Sequence, residues 1–260
     1  MIENIQLLFL IFARVFALLK VAPLVSSRAI PGMARVGLAF LAATTVLPWV
    51  YEAGYAIPQA VFSYVLIMVG EVLIGALLGF TLNLIYTAFV LAGQYFSFQM
   101  GFGASQVFDP MAQVQIPVVG QFLNMIAMLV FIITAGFQKL FLSGVLRSFE
   151  TMKAVDIARS PDSIFELISE GVALMFQHAL ILSFPVLGTL MLVSVSLGLL
   201  AKAAPQMNLL MLGFPLKIGL AFLMLAISIP LLMEGFTRLV DESFLLIMEF
   251  LSGGETGGPA

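Results

Sequence analysis

The 260-residue sequence contains no cysteine, one histidine and one tryptophan, and only 10% of its residues are charged. Without cysteine the chain has no disulfide, no thiolate nucleophile and no cysteine-based metal site. The single histidine, His178, lies in an apolar run without a Ser-His-Asp pattern or metal-ligand spacing, so it is interpreted as a hydrogen-bonded core or interface residue. A net charge of −3 offers no basic patch for nucleic acid. Enzymes, cofactor-binding proteins and nucleic-acid-binding proteins are therefore disfavoured.

What the sequence does contain is apolar residues, which make up 62% of the chain against about 45–50% in a soluble domain. This composition predicts an all-α integral membrane protein. Hydropathy gives about six spans: 5–24, 36–50, 59–94, 118–137, 171–200 and 209–233. The third span is longer than one crossing needs, so one extended helix is expected there. Its Gly70, Gly75 and Gly79 would let other helices approach closely.

Polar segments separate these runs. Residues 25–35 form a short turn whose arginines place it on the cytoplasmic side by the positive-inside rule. Residues 139–170 read as two amphipathic helices outside the hydrocarbon, the second beginning at 160–163. Residues 201–208 join the last two spans into a hairpin. An amphipathic tail follows at 234–251, and 252–260 have the composition of a disordered end.

The most unusual stretch is 93–117, which combines three glycines and two prolines with four phenylalanines. Such a sequence predicts a broken backbone with apolar side chains. Irregular backbone is tolerated at membrane depth only where protein buries it or where it lines a cavity. Met100 and Met111 flank its centre and could form a deformable gasket. From the residues alone, a loop buried for packing and a gate that closes a pore are equally supported.

Four charged residues stand within or beside apolar runs: Arg14, Glu71, Lys202 and Lys217. Each costs at least a few kcal/mol at a bilayer centre unless it is paired or wetted. Lys202 lies beside a turn, where snorkelling to the interface is expected. For the other three, pairing with neighbouring subunits is favoured over a proton or ion relay, because no chain of carboxylates and histidines accompanies them.

Three separated motifs carry a resemblance to a known family: FARVFALLKVAPLVSSRAIPGMARVGLAF at 12–40, GFGASQVFDPMAQVQIPVVGQFL at 101–123 and AKAAPQMNLLMLGFPLKIGLAF at 201–222. In this order they resemble the FliR family of the bacterial flagellar type III export apparatus. The resemblance covers nearly the whole chain. The virulence-secretion counterpart, the SctT type, is similar in plan, but the run 105–110 looks more like the flagellar branch.

The resemblance implies a non-enzymatic channel subunit, built of helical hairpins, in a hollow helical export gate, with no cofactor. Implied partners are FliP and FliQ homologues in one hetero-oligomeric core complex, FlhB and FlhA, unfolded flagellar export substrates and membrane lipid. The implied location is the inner membrane at the flagellar basal body. Residues 1–170 would be a FliP-like part and 171–251 a FliQ-like hairpin and tail. A small-solute secondary transporter is the alternative of another class, although the chain shows no inverted repeat.

The resemblance also assigns site residues. The central plug of the gate maps onto Met100, Gly101, Phe102, Gly103, Ala104, Ser105, Gln106, Val107, Phe108, Asp109, Pro110 and Met111. Expected subunit contacts are Arg14, Glu71, Lys202, Pro205, Asn208, Pro215 and Lys217.

Overall fold

The computed structural model describes residues 2–23, 30–55, 57–58, 60–101, 118–154, 161–206 and 208–252. This part of the chain is helical and contains no strand, as the composition predicts. Its helices are α1 (Ile2–Val21), α2 (Gly32–Glu52), α3 (Val61–Met100), α4 (Val118–Ile133), α5 (Gly136–Lys139), a π-helix (Leu140–Leu146), α6 (Arg147–Thr151), α7 (Pro161–Ala203) and α8 (Leu209–Leu251).

Five of these helices are long and apolar enough to cross a membrane: α1, α2, α3, α7 and α8. A sixth span results if the broken pair formed by α4 and the helices that follow it is counted as one. The break lies at Ala135, whose φ of 55° is left-handed and therefore strained for a residue with a β-carbon. The predicted run 118–137 is thus interrupted near its end. The described residues contain five helices, or six with the broken pair, that are long and apolar enough to be the predicted spans.

Several predicted boundaries are corrected by the structure. The backbone is not broken from Gly93 onward, because α3 continues without interruption to Met100 and is 40 residues long. A helix does begin at Pro161 as predicted, but it is no short amphipathic helix, since it continues as α7 for 43 residues. The tail at 234–251 is the continuation of α8 and not a separate element. Finally, α2 begins at Gly32, inside the predicted turn 25–35.

These corrections have one physical origin. Glycine lowers helix propensity by about 1 kcal/mol, whereas each backbone amide or carbonyl left unpaired in hydrocarbon costs several kcal/mol. Helices α3, α7 and α8 therefore continue through residues that locally favour a helix end, because an unbroken helix keeps its backbone groups hydrogen-bonded.

The chain divides into two compact units that are discontinuous in sequence. Unit 1 comprises residues 1–85, 132–173 and 240–260, and unit 2 comprises 86–131 and 174–239. The division into a FliP-like part at 1–170 and a FliQ-like part at 171–251 concerns likeness to other proteins, and it stays a prediction. Residues 253–260, predicted to be a disordered end, lie outside the described residues.

Unit 1 is built around α1. The side chains of Leu10, Ile11 and Leu18 are among the largest fully buried ones. Helix α2 packs on α1, and its buried residues are Ala39, Ala43, Val46 and Val50. Helix α3 approaches α1 through two glycines. A β-carbon on Gly75 would overlap the carbonyl oxygen of Arg14, and one on Gly79 would lie 2.7 Å from that of Leu18. The predicted role of these glycines is confirmed.

Unit 2 has an aromatic core. The rings of Phe89 and Phe236 meet edge to face with centroids 4.7 Å apart, and Tyr86 lies 6.0 Å from Phe131. Helix α3 meets α4 at a pair of glycines, because a β-carbon on Gly93 would overlap the α-carbon of Gly120. Gly93 therefore permits a close contact between helices, and it does not end one.

Candidate functional site

The predicted plug begins where α3 ends. Met100 is the last residue of α3 and is fully buried. Gly101 has a φ of 94°, a left-handed backbone that glycine adopts without strain, and its amide donates to the carbonyl of Phe98 at 3.1 Å. A β-carbon on Gly101 would overlap the ring of Phe214 in α8. The start of the predicted plug is thus fixed against α8, within unit 2.

The remaining plug residues, 102–111, lie outside the described residues, as does the rest of the stretch to 117. The plug therefore stays a prediction.

The structure places Arg14 and Glu71 together. The Nε of Arg14 donates to Oε2 of Glu71 at 2.5 Å, and the two side chains are 1% and 0% exposed. A charge that is enclosed in this way must be paired, because an isolated charge in an apolar interior is strongly unfavourable. Arg14 and Glu71, each of which was expected to need a charged partner, are therefore paired with each other within unit 1. A role of these residues as contacts to other subunits stays a prediction.

The remaining donors of Arg14 are also used. One terminal nitrogen donates to Oγ of Ser148 and the other to the carbonyl of Met152, both at 3.0 Å. The guanidinium carbon lies 3.8 Å from the centroid of the Phe149 ring, a cation–π contact. Helix α1 is thereby joined to α6 and to the residue that follows α6.

The second oxygen of Glu71 accepts a hydrogen bond from the hydroxyl of Tyr55 at 2.5 Å. Burial, reinforced by the charge of Glu71, raises the pKa of Tyr55 above its usual range. The hydroxyl therefore stays protonated and serves as the donor. We call Arg14, Tyr55, Glu71, Ser148 and Phe149 the Arg14 cluster.

The sequence marks Arg14 and Glu71 as charges within apolar runs, but it does not show that they pair, and it gives no sign of Tyr55, Ser148 or Phe149. Glu71 is 57 positions from Arg14 and Ser148 is 134 positions away. No periodic signal links residues at such separations. The only available hint was that each buried charge needed partners from elsewhere.

The other predicted contact residues lie around the turn between α7 and α8. Lys202 is exposed in the last turn of α7, and Lys217 is half-buried in α8. The snorkelling of Lys202 to the interface stays a prediction. Asn208 has a local role, because its side-chain oxygen accepts from the amide of Met211 at 3.3 Å and so caps α8. Pro205 lies in the turn and Pro215 within α8, both exposed. Their contacts with other subunits stay predictions.

His178 is buried in α7. Within the described ranges, no group of three or more His, Cys, Asp or Glu side chains is arranged to hold a metal ion.

Taken together, the long apolar helices and the enclosed ion pair define an all-helical membrane protein. The comparisons with known proteins identify which kind. The sequence model of the family described as "Bacterial export proteins, family 1" matches residues 5–243. The chain therefore belongs to this family of bacterial export proteins.

Curated relatives carry a common name. The chain is 32% identical over 228 residues to the flagellar biosynthetic protein FliR of Bacillus subtilis, covering 86% of each chain. It is 29% identical over 250 residues to FliR of Escherichia coli, covering 95% of this chain and 94% of the relative. FliR of Borreliella burgdorferi is 30% identical over 190 residues, 73% of this chain and 71% of the relative. The resemblance to FliR found in the sequence is confirmed.

Proposed function

We propose that the chain is a channel subunit of the flagellar type III protein export gate, which passes unfolded flagellar proteins across the bacterial inner membrane. The relatives' names support the flagellar branch over the virulence branch. In this role the protein passes unfolded flagellar proteins through the gate without changing them chemically, so it acts as a non-enzymatic component. Its partners are FliP and FliQ homologues in the core complex, with FlhB and FlhA beside it at the basal body.

The observation that carries the channel role is the end of α3. The 40-residue helix α3 ends immediately before Gly101. There the left-handed backbone and the Phe214 ring fix the direction in which the chain leaves the helix. A segment that closes a pore needs a rigid attachment, because a mobile one would leave the pore open for part of the time. The 16 residues that follow, 102–117, contain one glycine, two prolines and two phenylalanines, and hydrophobic constrictions close pores by excluding water.

The function is tested first by assembly. Affinity purification of the tagged chain from detergent-solubilised membranes of flagellated cells should recover FliP and FliQ homologues in a single complex. Cells that lack the chain should export no flagellar hook or filament protein, and the wild-type chain supplied in trans should restore export. Export that persists without the chain would contradict the proposal.

Deletion of 102–110 should raise ion leakage through the assembled complex, because the segment is proposed to be the seal. The measurement is passive ion flux into membrane vesicles that contain the purified complex, with membrane abundance of the complex as the reference. A matched control is the Gly198→Ala variant, whose new β-carbon meets no atom within 4 Å. Unchanged conductance in a complex that assembles normally would exclude the plug role.

A milder test is Gly101→Val. It preserves the length of the segment but forces a β-branched residue into a left-handed backbone and against the Phe214 ring. We expect an intermediate leak, smaller than that of the deletion. A leak equal to that of the wild-type complex would show that the attachment at Gly101 does not hold the seal.

A further inference from the structure

The helical stretch from Gly136 to Thr151 is wound more widely in its middle than at its ends. Residues 140–146 form a π-helix, and the amide of Arg147 donates to the carbonyl of Leu142, five residues back, where an α-helix bonds to the fourth. A turn of π-helix therefore holds about one residue more than a turn of α-helix. Such stretches are rare in proteins and frequently lie at functional sites.

The π-helix takes up one residue that two α-helical turns would not hold. Leu140 and Ser148 are both buried and both lie toward α1. Ser148 accepts a hydrogen bond from Arg14, and a β-carbon on Gly144 would lie 3.3 Å from Leu140 and 3.7 Å from Leu18. Leu140 and Ser148 are eight residues apart, about 80° more than two turns of an α-helix. The wider turn is what brings both side chains to the α1 side at once.

The two ends of this stretch are held with unequal strength. Ser148 belongs to the Arg14 cluster, whose ion pair is enclosed by protein. At the other end Nζ of Lys139 meets Oδ1 of Asp241 at 2.5 Å, but these side chains are 37% and 53% exposed, and an exposed pair contributes little to stability. Ala135, just before this end, has the strained left-handed backbone. When the stretch rewinds, the Lys139 end therefore turns and the Ser148 end stays.

The sequence supplies a second apolar side chain for the same place. Phe141 is seven residues before Ser148, which is close to two α-helical turns. In an all-α helix Phe141 would replace Leu140 on α1, and Lys139 would turn away from Asp241 by about 100°. Phe141 is half-buried, so each winding places one large apolar side chain on α1. Two packings of such similar content are what a bistable element requires.

We propose that residues 136–146 form a two-register switch. In the first register the stretch is π-helical, Leu140 lies on α1 and Lys139 is paired with Asp241. In the second register it is α-helical, Phe141 lies on α1 and the pair is open. Every residue of the switch belongs to unit 1.

The place of the switch in the chain connects it to export. Through Ala135 the switch is joined to α4, and α4 begins at Val118, directly after 102–117. The second register is then the one adopted during export. This last step rests on the proposed channel function, whereas the existence of two registers does not.

Electron paramagnetic resonance distances test the two registers directly. Because the chain has no cysteine, spin labels attach only at introduced cysteines, here Leu142→Cys and Leu245→Cys, at positions that are 56% and 67% exposed. In the chain purified with its partners we expect two distance populations that differ by up to about 8 Å, the displacement of a side chain that turns by about 100° on a helix surface. Glu150→Cys with Leu245→Cys is the matched control and should give one population, because Glu150 lies beyond the fixed Ser148.

Two alanine variants identify the populations. Phe141→Ala removes the apolar side chain of the second register and should leave only the first population. Leu140→Ala weakens the first register and should shift the ratio roughly tenfold toward the second. A single population that neither variant changes would overturn the switch, and so would two populations in the Glu150 control.

Deletion of Leu142 tests whether the switch is needed for export. It leaves Leu140 seven residues from Ser148, so an all-α helix keeps Leu140 on α1 and the second register is lost. We expect normal assembly with roughly tenfold less export, since conformational steps limit many turnover rates. Leu142→Ala keeps the residue count and should export at the wild-type level. Wild-type export by the deletion variant would overturn the role of the second register.

The outcomes remain distinguishable if a variant fails. If the Leu142 deletion does not accumulate in membranes, Phe141→Ala supplies the same export test, because it also removes the second register. Export that continues in cells without the chain would contradict the channel function, whereas the spin-label distances would still decide whether two registers exist.

Discussion

Replacing Arg14 with methionine should lower the free energy of unfolding by about 3–5 kcal/mol, the usual effect of removing one partner from a buried ion pair. The carboxylate of Glu71 would be left at 0% exposure, with the Tyr55 hydroxyl as its one remaining donor among the described residues. Ser148 and the Met152 carbonyl would lose their donor as well. The measurement is the melting temperature of the detergent-solubilised protein, together with its abundance in membranes.

Two further variants make this test specific. Arg238→Gln removes an exposed pair with Glu234, whose side chains are 69% and 61% exposed, and it should cost only about 0.3–0.5 kcal/mol. The double variant Arg14→Met, Glu71→Leu should be less destabilised than either single variant, because no buried charge is left unpaired. A single Arg14 variant as stable as Arg238→Gln would contradict the structural role of the pair.

The double variant also separates the two interpretations of these charges that the sequence leaves open. If the pair only holds α1, α3 and α6 in register, a double variant that accumulates in membranes should still assemble and export. If the pair relays protons, the same variant should assemble but lose export. The geometry favours the first result, because the bonds from Nε and both terminal nitrogens of Arg14, and the bonds to both oxygens of Glu71, all end within unit 1.

The second large effect is expected for Gly75→Ala. Its β-carbon would overlap the Arg14 carbonyl oxygen and lie 3.1 Å from the β-carbon of Ala17. Because the obstructing atom belongs to the backbone, α1 and α3 must move apart, and overpacking of this kind costs about 1–3 kcal/mol or more. Separation of the helices would also lengthen the bond between Arg14 and Glu71, so the loss should exceed the packing cost alone.

Gly188→Ala is the matched control for this prediction, since its β-carbon would meet nothing within 4 Å. Alanine in place of an unobstructed helical glycine should be neutral or stabilising by up to about 1 kcal/mol. Melting temperatures of the two variants in the same detergent give the comparison. Equal stability of Gly75→Ala and Gly188→Ala would show that the close approach at Gly75 is not needed. Because Gly75 touches the backbone of Arg14, the effects of Gly75→Ala and Arg14→Met should not be additive.

Much of the architecture follows from the sequence because it depends on local, periodic information. Runs of about 20 apolar residues predict spans, and five long helices with one broken pair were found. Ser160 to Ser163 predicts the start of a helix, and α7 begins at Pro161. The glycines at 70, 75 and 79 predict close helix packing, and each lies against backbone or a small side chain.

Other features were decided only by the tertiary structure. Gly93 and the charges after Met233 indicated helix ends, yet α3 and α8 continue through them. Local propensity is worth tenths of a kcal/mol to about 1 kcal/mol at each residue, and the cost of backbone groups left unpaired in hydrocarbon, several kcal/mol each, exceeds it. The division into two discontinuous units likewise depends on which distant segments meet.

The buried charges show the same limit at the level of single residues. The sequence by itself determined that Arg14 and Glu71 needed partners, because an unpaired charge is costly in an apolar surrounding. It could not determine that they are partners of each other, or that Tyr55 and Ser148 complete the cluster. That choice was made by the crossing of α1 on α3 at Gly75, where the missing side chain lets the two backbones approach within reach of a direct ion pair.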